Sequence, residues 1–353
     1  MLTDKKILVT GGTGSLGKVL IKRLLSGELG IPKKIIVFSR DEAKQHFMRL
    51  EYLNKKDQTD EIIYNNFKRV LEFRIGDVRD SHSLNSVLKE VDVVFNAAAL
   101  KQVPSCEYFP FEAVQTNIMG PQNIVNAINE FDLPIETVVG ISTDKACKPV
   151  NVMGMTKALQ ERVFIQANMK CQSTRFICVR YGNVLASRGS VIPLFHEQIA
   201  NGGPVTITTL DMTRFLLSLN QAVDTIFSAI KHANRGETYI PIVPSAKVTD
   251  IAKVLIGNKK IKTVITGIRP GEKVHEILIS EEEAPRAIKR GEYYVILPLL
   301  PELRGNGIKD KVLNHEYSSA DNLMNLEELK RILSEYDLLL NEKKKRSEEE
   351  LIR

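Results

Sequence analysis

Residues 10–17 read TGGTGSLG; the apolar run KILVT (6–10) leads into them and LGKVLIKRLLSG (16–27), apolar at three- and four-residue spacing, follows. Gly12, Gly14 and Gly17 satisfy G-x-G-x-x-G, while Gly11, Gly14 and Gly17 satisfy the related G-x-x-G-x-x-G. A strand, a glycine turn and a helix in that order are the first half of a βαβ unit. Glycine allows the tight turn and lets backbone approach a pyrophosphate, which then sits on the unsatisfied N–H groups of a helix N-terminus. Gly11, Thr13, Gly14, Ser15, Leu16 and Gly17 are the candidate residues for that contact.

The same alternation continues. KIIVF (34–38), LEFRI (71–75), VDVVFN (91–96), TVVGIS (137–142) and RFICVRY (175–181) read as buried strands, separated by helical-period segments such as GPQNIVNAINEF (120–131). Right-handed crossovers between such strands give a parallel sheet covered on both faces. The polar stretch 54–69 reads as an extension of the second crossover. The expected fold class is α/β, a Rossmann doubly wound parallel sheet with a smaller C-terminal substrate lobe. The boundaries are 1–182 for the nucleotide-binding part, with segments near 210–240 returning to it, 183–340 for the lobe, and 341–353 for a charged tail.

Composition excludes several classes. No run of about 18 apolar residues exists, so no membrane-spanning helix is expected, and MLTDKKILVT has no signal-peptide pattern. The expected location is cytoplasmic. A net charge of +6 is mild, and KKKR (343–346) is followed at once by EEE (348–350), a solvated end rather than a nucleic-acid arm. Cys106, Cys147, Cys171 and Cys178 lack C-x-x-C spacing and are expected to be reduced and structural, and the six histidines are never at metal-ligand spacing. No metal is expected.

The second strand ends in FSRDE (38–42). An acidic residue directly at that place would hold the ribose 2′-hydroxyl of NAD, whereas Ser39 and Arg40 come first and Lys44 lies one turn on. Arginine suits a 2′-phosphate, so NADP is expected over NAD, with Asp41 as the residue that keeps NAD open. Asp77, in GDVRD, reads as an adenine contact or a helix cap, with Val78 beside it. Ala97 and Ala98, after Asn96, are small enough to let a cofactor pass.

Strand TVVGIS delivers Ser142, Thr143, Asp144 and Lys145 to the carboxyl edge of the sheet, and the following segment carries Met153 and Lys157 four apart on one helix face. STDKACKPVNVMGMTKA (142–158) resembles the active-site segment of short-chain dehydrogenases/reductases, with Met153 where that superfamily has its tyrosine. AAALKQVPSCE (97–107), RYGNVLASRGSVIPLF (180–195), TRF (213–215) and RPGEK (269–273) extend the resemblance to extended members that act on nucleotide sugars, and among them to the inverting UDP-N-acetylglucosamine 4,6-dehydratases. The likeness covers residues 4–300.

That resemblance implies Asp144 as acid and Lys145 as base about C5 and C6 of an oxidised hexose. Burial favours the neutral forms these roles need, while mutual attraction favours the ion pair, so the two are expected to titrate together. A thioether moves no proton; Lys157, Asp144 or a water held by Thr143 is left to serve C4. Lys157 and Tyr181 join the cofactor set. Lys101, Asn183, Arg188, Val191, Arg214, Arg269 and Glu272 form the substrate set, the arginines for uridine diphosphate because their planar fork fits phosphate oxygens. The implied reaction is NADP-dependent dehydration of UDP-N-acetylglucosamine with C5 inversion, by a homo-oligomer for which the family suggests a hexamer. A UDP-sugar 4-epimerase and a non-catalytic NADP-binding regulator are the competing readings.

Overall fold

The computed structural model describes residues 1–53, 61–185, 190–304 and 312–340. The chain divides into two compact units. The first comprises 1–182, 218–242 and 277–317, and the second 183–217, 243–276 and 318–353.

In the first unit the expected strands form. They are β1 (Lys6–Thr10), β2 (Lys34–Ser39), β3 (Leu71–Ile75), β4 (Val93–Asn96), β5 (Thr137–Thr143) and β6 (Arg175–Tyr181). Three more complete the sheet: β7 (Thr238–Pro241), β8 (Ala287–Arg290) and β9 (Tyr293–Ile296). Their order is β8-β9-β7-β6-β5-β4-β1-β2-β3. From β3 to β7 all pairings are parallel, and β8 and β9 add an antiparallel edge. The order 3-2-1-4-5-6 is that of a dinucleotide-binding sheet, whose crevice lies where the order reverses, between β1 and β4. LEFRI is not the buried strand its composition suggests. As β3 it is an edge strand, half-buried and with Ile75 61% exposed, because a neighbour covers it on one side only.

Helices α1 (Ser15–Leu25), α2 (Glu42–Leu53), α3 (Glu61–Val70), α4 (Ser81–Leu88), α5 (Gly120–Glu130) and α6 (Val152–Lys170) make the crossovers, and α7 (Leu219–His232) belongs to the same unit. Of the stretch 54–69, residues 61–69 are helical and 54–60 lie outside the described residues. One core joins Leu8, Ile36, Val94 and Val138 of the sheet to Leu84, Ile124, Ile128 and Phe164 of the helices. A tight point in it is Gly140 of β5, where an added Cβ would meet the Phe164 ring at 2.5 Å. Phe164 is fully buried and has nowhere to move. Gly140→Ala is therefore expected to cost about 1–3 kcal/mol by overpacking, read as a lower urea midpoint at unchanged slope.

The second unit has its own core, in which Ile192, Phe195, Val205, Ile251, Leu255, Leu329 and Leu333 meet. Its strands are short, in two-stranded pairs such as Thr213–Phe215 with Ser245–Lys247. No described helix is long and apolar enough to cross a membrane. All four cysteines are buried and free of disulfides.

Candidate active site

The glycine turn is held against β4 so closely that side chains are excluded. Gly11 has φ +66°, and a Cβ there would lie 2.8 Å from Ala98 Cα. A Cβ on Gly17 would lie 2.5 Å from the Gly12 carbonyl oxygen, the close contact of helix and turn that the motif requires. Thr10 stitches the crevice, donating to Asn96 Oδ1 at 2.9 Å and accepting from the Ala98 N–H at 3.2 Å. Helix α1 starts with Gly14 as its cap and no side-chain cap bond, while Gly14 and Ser15 are exposed and Leu16 is half-buried. Thr13 is buried behind the turn. The amide nitrogen of Asn96 is buried with no partner among the described residues. An uncapped helix N-terminus and an orphaned donor at the sheet's switch point fit a dinucleotide phosphate.

At the end of β2, Gln45 donates to the Ser39 hydroxyl at 3.0 Å and to the Arg74 carbonyl at 2.9 Å, fixing the strand end. Arg40 is half-exposed, 3.6 Å from Asp77. Asp41 is bound to Lys44 at 2.6 Å, and the Lys44 ammonium and backbone N–H hold its carboxyl below the ordinary aspartate value. Burial pushes Asp77 up, but bonds from the Arg79 side chain and backbone, with the Arg40 charge, leave it below the ordinary value. Asp77 does not cap the next helix; Asp80 does, accepting from the His82 N–H at 3.0 Å. Val78 is buried, and Ala97 and Ala98 are half-buried beside Gly11.

Strand β5 ends in a single 3-10 turn, Asp144–Ala146, capped by Thr143. Asp144 is fully buried. Its Oδ1 accepts from the Thr143 hydroxyl at 2.9 Å and from Lys145 Nζ at 3.1 Å. Lys145 keeps its side chain 22% exposed, so the pair has one inner and one outer member. Helix α6 comes down onto this turn: Asn151 caps it through the Gly154 N–H at 2.8 Å, and a Cβ on Gly154 would lie 2.2 Å from the Lys145 carbonyl. Met153 is buried, packed with Cys106 and Ala113. Lys157 donates to the Ile141 carbonyl and, at 2.6 Å, to Gln160 Oε1. Burial pushes its ammonium down to about 8, against the pull of Cys178 and Glu161. Lys101 is exposed after β4, next to Leu100, whose N–H and carbonyl are both bonded by Asn117. Tyr181 is buried at the end of β6, where burial pushes its hydroxyl pKa up.

The remaining substrate candidates belong to the second unit. Arg214 is buried, donating to the Thr213 carbonyl at 2.7 Å and the Val274 carbonyl at 3.1 Å, with Glu276 at 3.8 Å. Arg269 is exposed, and the Glu272 N–H closes a turn onto its carbonyl at 3.1 Å. Glu272 Oε2 is buried and has no partner among the described residues. Asn183 is half-buried, Val191 begins a helix (Val191–Ala200), and Arg188 lies outside the described residues. His196 and His275 are bound to Leu338 O and Thr213 Oγ1, each at 2.8 Å.

The model of one family, described as "Polysaccharide biosynthesis protein", matches residues 7–298. The chain belongs to that family. A curated relative, the UDP-glucose 4-epimerase of Rickettsia bellii (strain OSU 85-389), is 41% identical over 357 residues, covering 98% of this chain and 99% of its own. Pen from Bacillus thuringiensis is similar in structure, with a TM-score of 0.84 at 34% identity over 96% of this chain and 100% of that one. The UDP-glucuronic acid 4-epimerase of Bacillus cereus, solved with a uridine-diphosphate sugar and NAD, has a TM-score of 0.63 at 21% identity over 76% and 88%. At that identity the likeness is one of fold.

In this family member the surroundings of the β5 turn also include residues that pattern reading misses. Arg180 of β6, Glu161 of α6 and Glu283 form a buried ion triad behind the turn. A signal existed: a charged residue inside RFICVRY, a run otherwise fit for a buried strand, requires a buried partner. Nothing in the sequence says that the partners lie 19 and 103 residues away.

Proposed function

We propose that this chain is a nicotinamide-dependent enzyme acting on nucleotide sugars, and specifically an NADP-dependent UDP-N-acetylglucosamine 4,6-dehydratase that inverts C5. Its product would be a UDP-2-acetamido-2,6-dideoxy-4-keto-hexose for surface polysaccharide. The observation that carries the reading is the adjacent Asp144–Lys145 pair, 3.1 Å apart at the end of β5, with a methionine where a C4 base would stand.

A nicotinamide cofactor, which the turn at residues 11–17 would hold at the switch point, would supply the hydride chemistry at C4 and C6. The side chains do the rest. Lys157 is committed to Ile141 and Gln160, so the C4 hydroxyl proton leaves through a water held by the Thr143 hydroxyl. Lys145, the outer and partly exposed member, takes the C5 proton that the C4 ketone has acidified. Asp144, held by Thr143, protonates the departing C6 hydroxyl and recovers a proton from solvent afterwards. Lys145 then gives its proton up to solvent, and C5 takes a proton of solvent origin on its opposite face. Shared as one proton between two groups, the pair needs its neutral form only transiently.

Substrate binding draws on Arg269 and Glu272, whose Oε2, without a partner among the described residues, suits a ribose hydroxyl. The cofactor's 2′-phosphate draws on Arg40 and Lys44, since Asp41 is already neutralised. Arg40→Ala with Lys44→Ala is expected to weaken NADP binding by roughly 10–100-fold and to leave NAD binding within a few-fold, by isothermal titration. Equal losses for both cofactors would reject the NADP assignment.

The second reading, a UDP-sugar 4-epimerase, is favoured by the name of the Rickettsia relative. Epimerisation requires a C4 base and no acid at C6, which Met153 and Asp144 respectively argue against. Incubation with UDP-N-acetylglucosamine in deuterated water separates the two by NMR. A 4-keto-6-deoxy sugar carrying deuterium at C5 is expected; a C4 epimer without C5 label would replace this reading by the other.

A further inference from the structure

The sharpest unexplained feature of the first unit is a charge cluster with almost no exposure to solvent. Arg180 is 2% exposed, yet all five of its N–H donors are used. Nε and Nη2 grip Glu161 at 3.0 and 2.6 Å, Nη1 and Nη2 grip Glu283 at 2.7 and 2.9 Å, and Nη1 also reaches the Leu278 carbonyl at 2.8 Å. Two carboxylates outweigh one guanidinium, and the buried Lys157, one turn before Glu161 on α6, restores the balance.

A cluster like this is seldom needed for stability, because apolar side chains of the same volume do as well. Its outward bonds suggest its use. The Ser142 hydroxyl donates to Glu161 Oε1, and the Cys147 thiol lies 3.7 Å from Glu283 Oε2. Ser142 and Cys147 immediately bracket Thr143–Ala146. One residue further on, Glu316 holds Lys148 at 2.8 Å. Both ends of the short turn that bears the acid and the base are therefore tied to one rigid ionic block.

We infer that Glu161, Arg180 and Glu283 are positioning residues, a clamp on Ser142 and Cys147 that fixes the Asp144–Lys145 pair against its substrate. This rests on the dehydratase reading for its chemistry, though the clamp itself is a property of the fold. Misplacement of reacting groups by about 1 Å can cost on the order of 100-fold in rate, which is the scale at stake.

Two variants test it: Glu283→Gln, which loosens the block, and the pair Ser142→Ala with Cys147→Ala, which removes the tethers and leaves the ion pairs intact. Deuterium exchange of the amides in 142–148 is expected to quicken in both, while that of the glycine turn stays as in the parent. Turnover is expected to fall roughly 10–100-fold, with KM for UDP-N-acetylglucosamine and affinity for NADP within about threefold. A purely structural block would lower the unfolding midpoint and leave kcat per folded molecule alone; parental kcat in a folded variant overturns the inference. If Glu283→Gln does not fold, the tether pair decides. If the parent itself makes no 4-keto sugar, the dehydratase reading fails, and exchange at 142–148 alone judges the clamp: unchanged exchange overturns it.

Discussion

Asp144→Asn and Lys145→Ala are each expected to lower the rate of 4-keto sugar formation by about 10²–10⁴-fold, or roughly 3–5.5 kcal/mol of barrier. The two losses differ in kind. C4 oxidation precedes elimination and uses neither group, so both variants should still show the absorbance of reduced nicotinamide in a single turnover, and then stall. Lys145→Ala should also abolish exchange of the C5 proton with solvent, because the amine that shares the aspartate's proton goes with it. Asp144→Asn should keep that exchange and lose only the departure of water from C6. Combined, the substitutions should cost little more than the worse of the two, as for groups that act as a unit. Parental rates in either variant would end the dehydratase assignment.

How much of this was legible beforehand depends on the range of each interaction. The glycine turn, six strands and the Asp144–Lys145 doublet are local patterns, and those strands form the parallel sheet expected of them. Met153 was visible as a departure, and its packing with Cys106 and Ala113 is what a thioether does when no polar role exists. The antiparallel strands β8 and β9 were not read, since their alternation resembles that of any half-buried segment after a loosened pattern. Arg214 was read as a phosphate ligand from the TRF segment and arginine's planar fork; that its side chain is also bonded to the Thr213 and Val274 carbonyls is a setting that only tertiary structure creates. The ion triad is the clearest case. Three elements far apart in sequence must pack before Arg180 has a partner, so no window of residues carries the signal.

Arg180→Met is expected to cost about 3–5 kcal/mol at neutral pH, because it strands two buried carboxylates beside a single buried lysine. The pH dependence gives the mechanism. Burial pushes the Glu283 carboxyl up, but the charge and hydrogen bonds of Arg180, helped by the Ser280 N–H and the Arg162 charge, overcome it and hold the group at about 2, against an ordinary 4.5. In the parent, then, Glu283 contributes roughly 3 kcal/mol that is fully present above pH 4.5 and lost as pH falls through 2. Without the guanidinium, burial is opposed only by the Ser280 N–H and the Arg162 charge, so the folded carboxyl titrates above its parental value. The variant's carboxyl therefore takes up its proton at a higher pH than the parent's, and the variant recovers stability relative to the parent as pH falls through that value. Urea unfolding at about pH 7 and about pH 4 should accordingly find a gap between parent and variant that narrows in acid. A gap of the same size at both would mean that the substituted methionine hurts by its shape and not by the charge it removes, and the ionic account of the block behind the β5 turn would have to be abandoned.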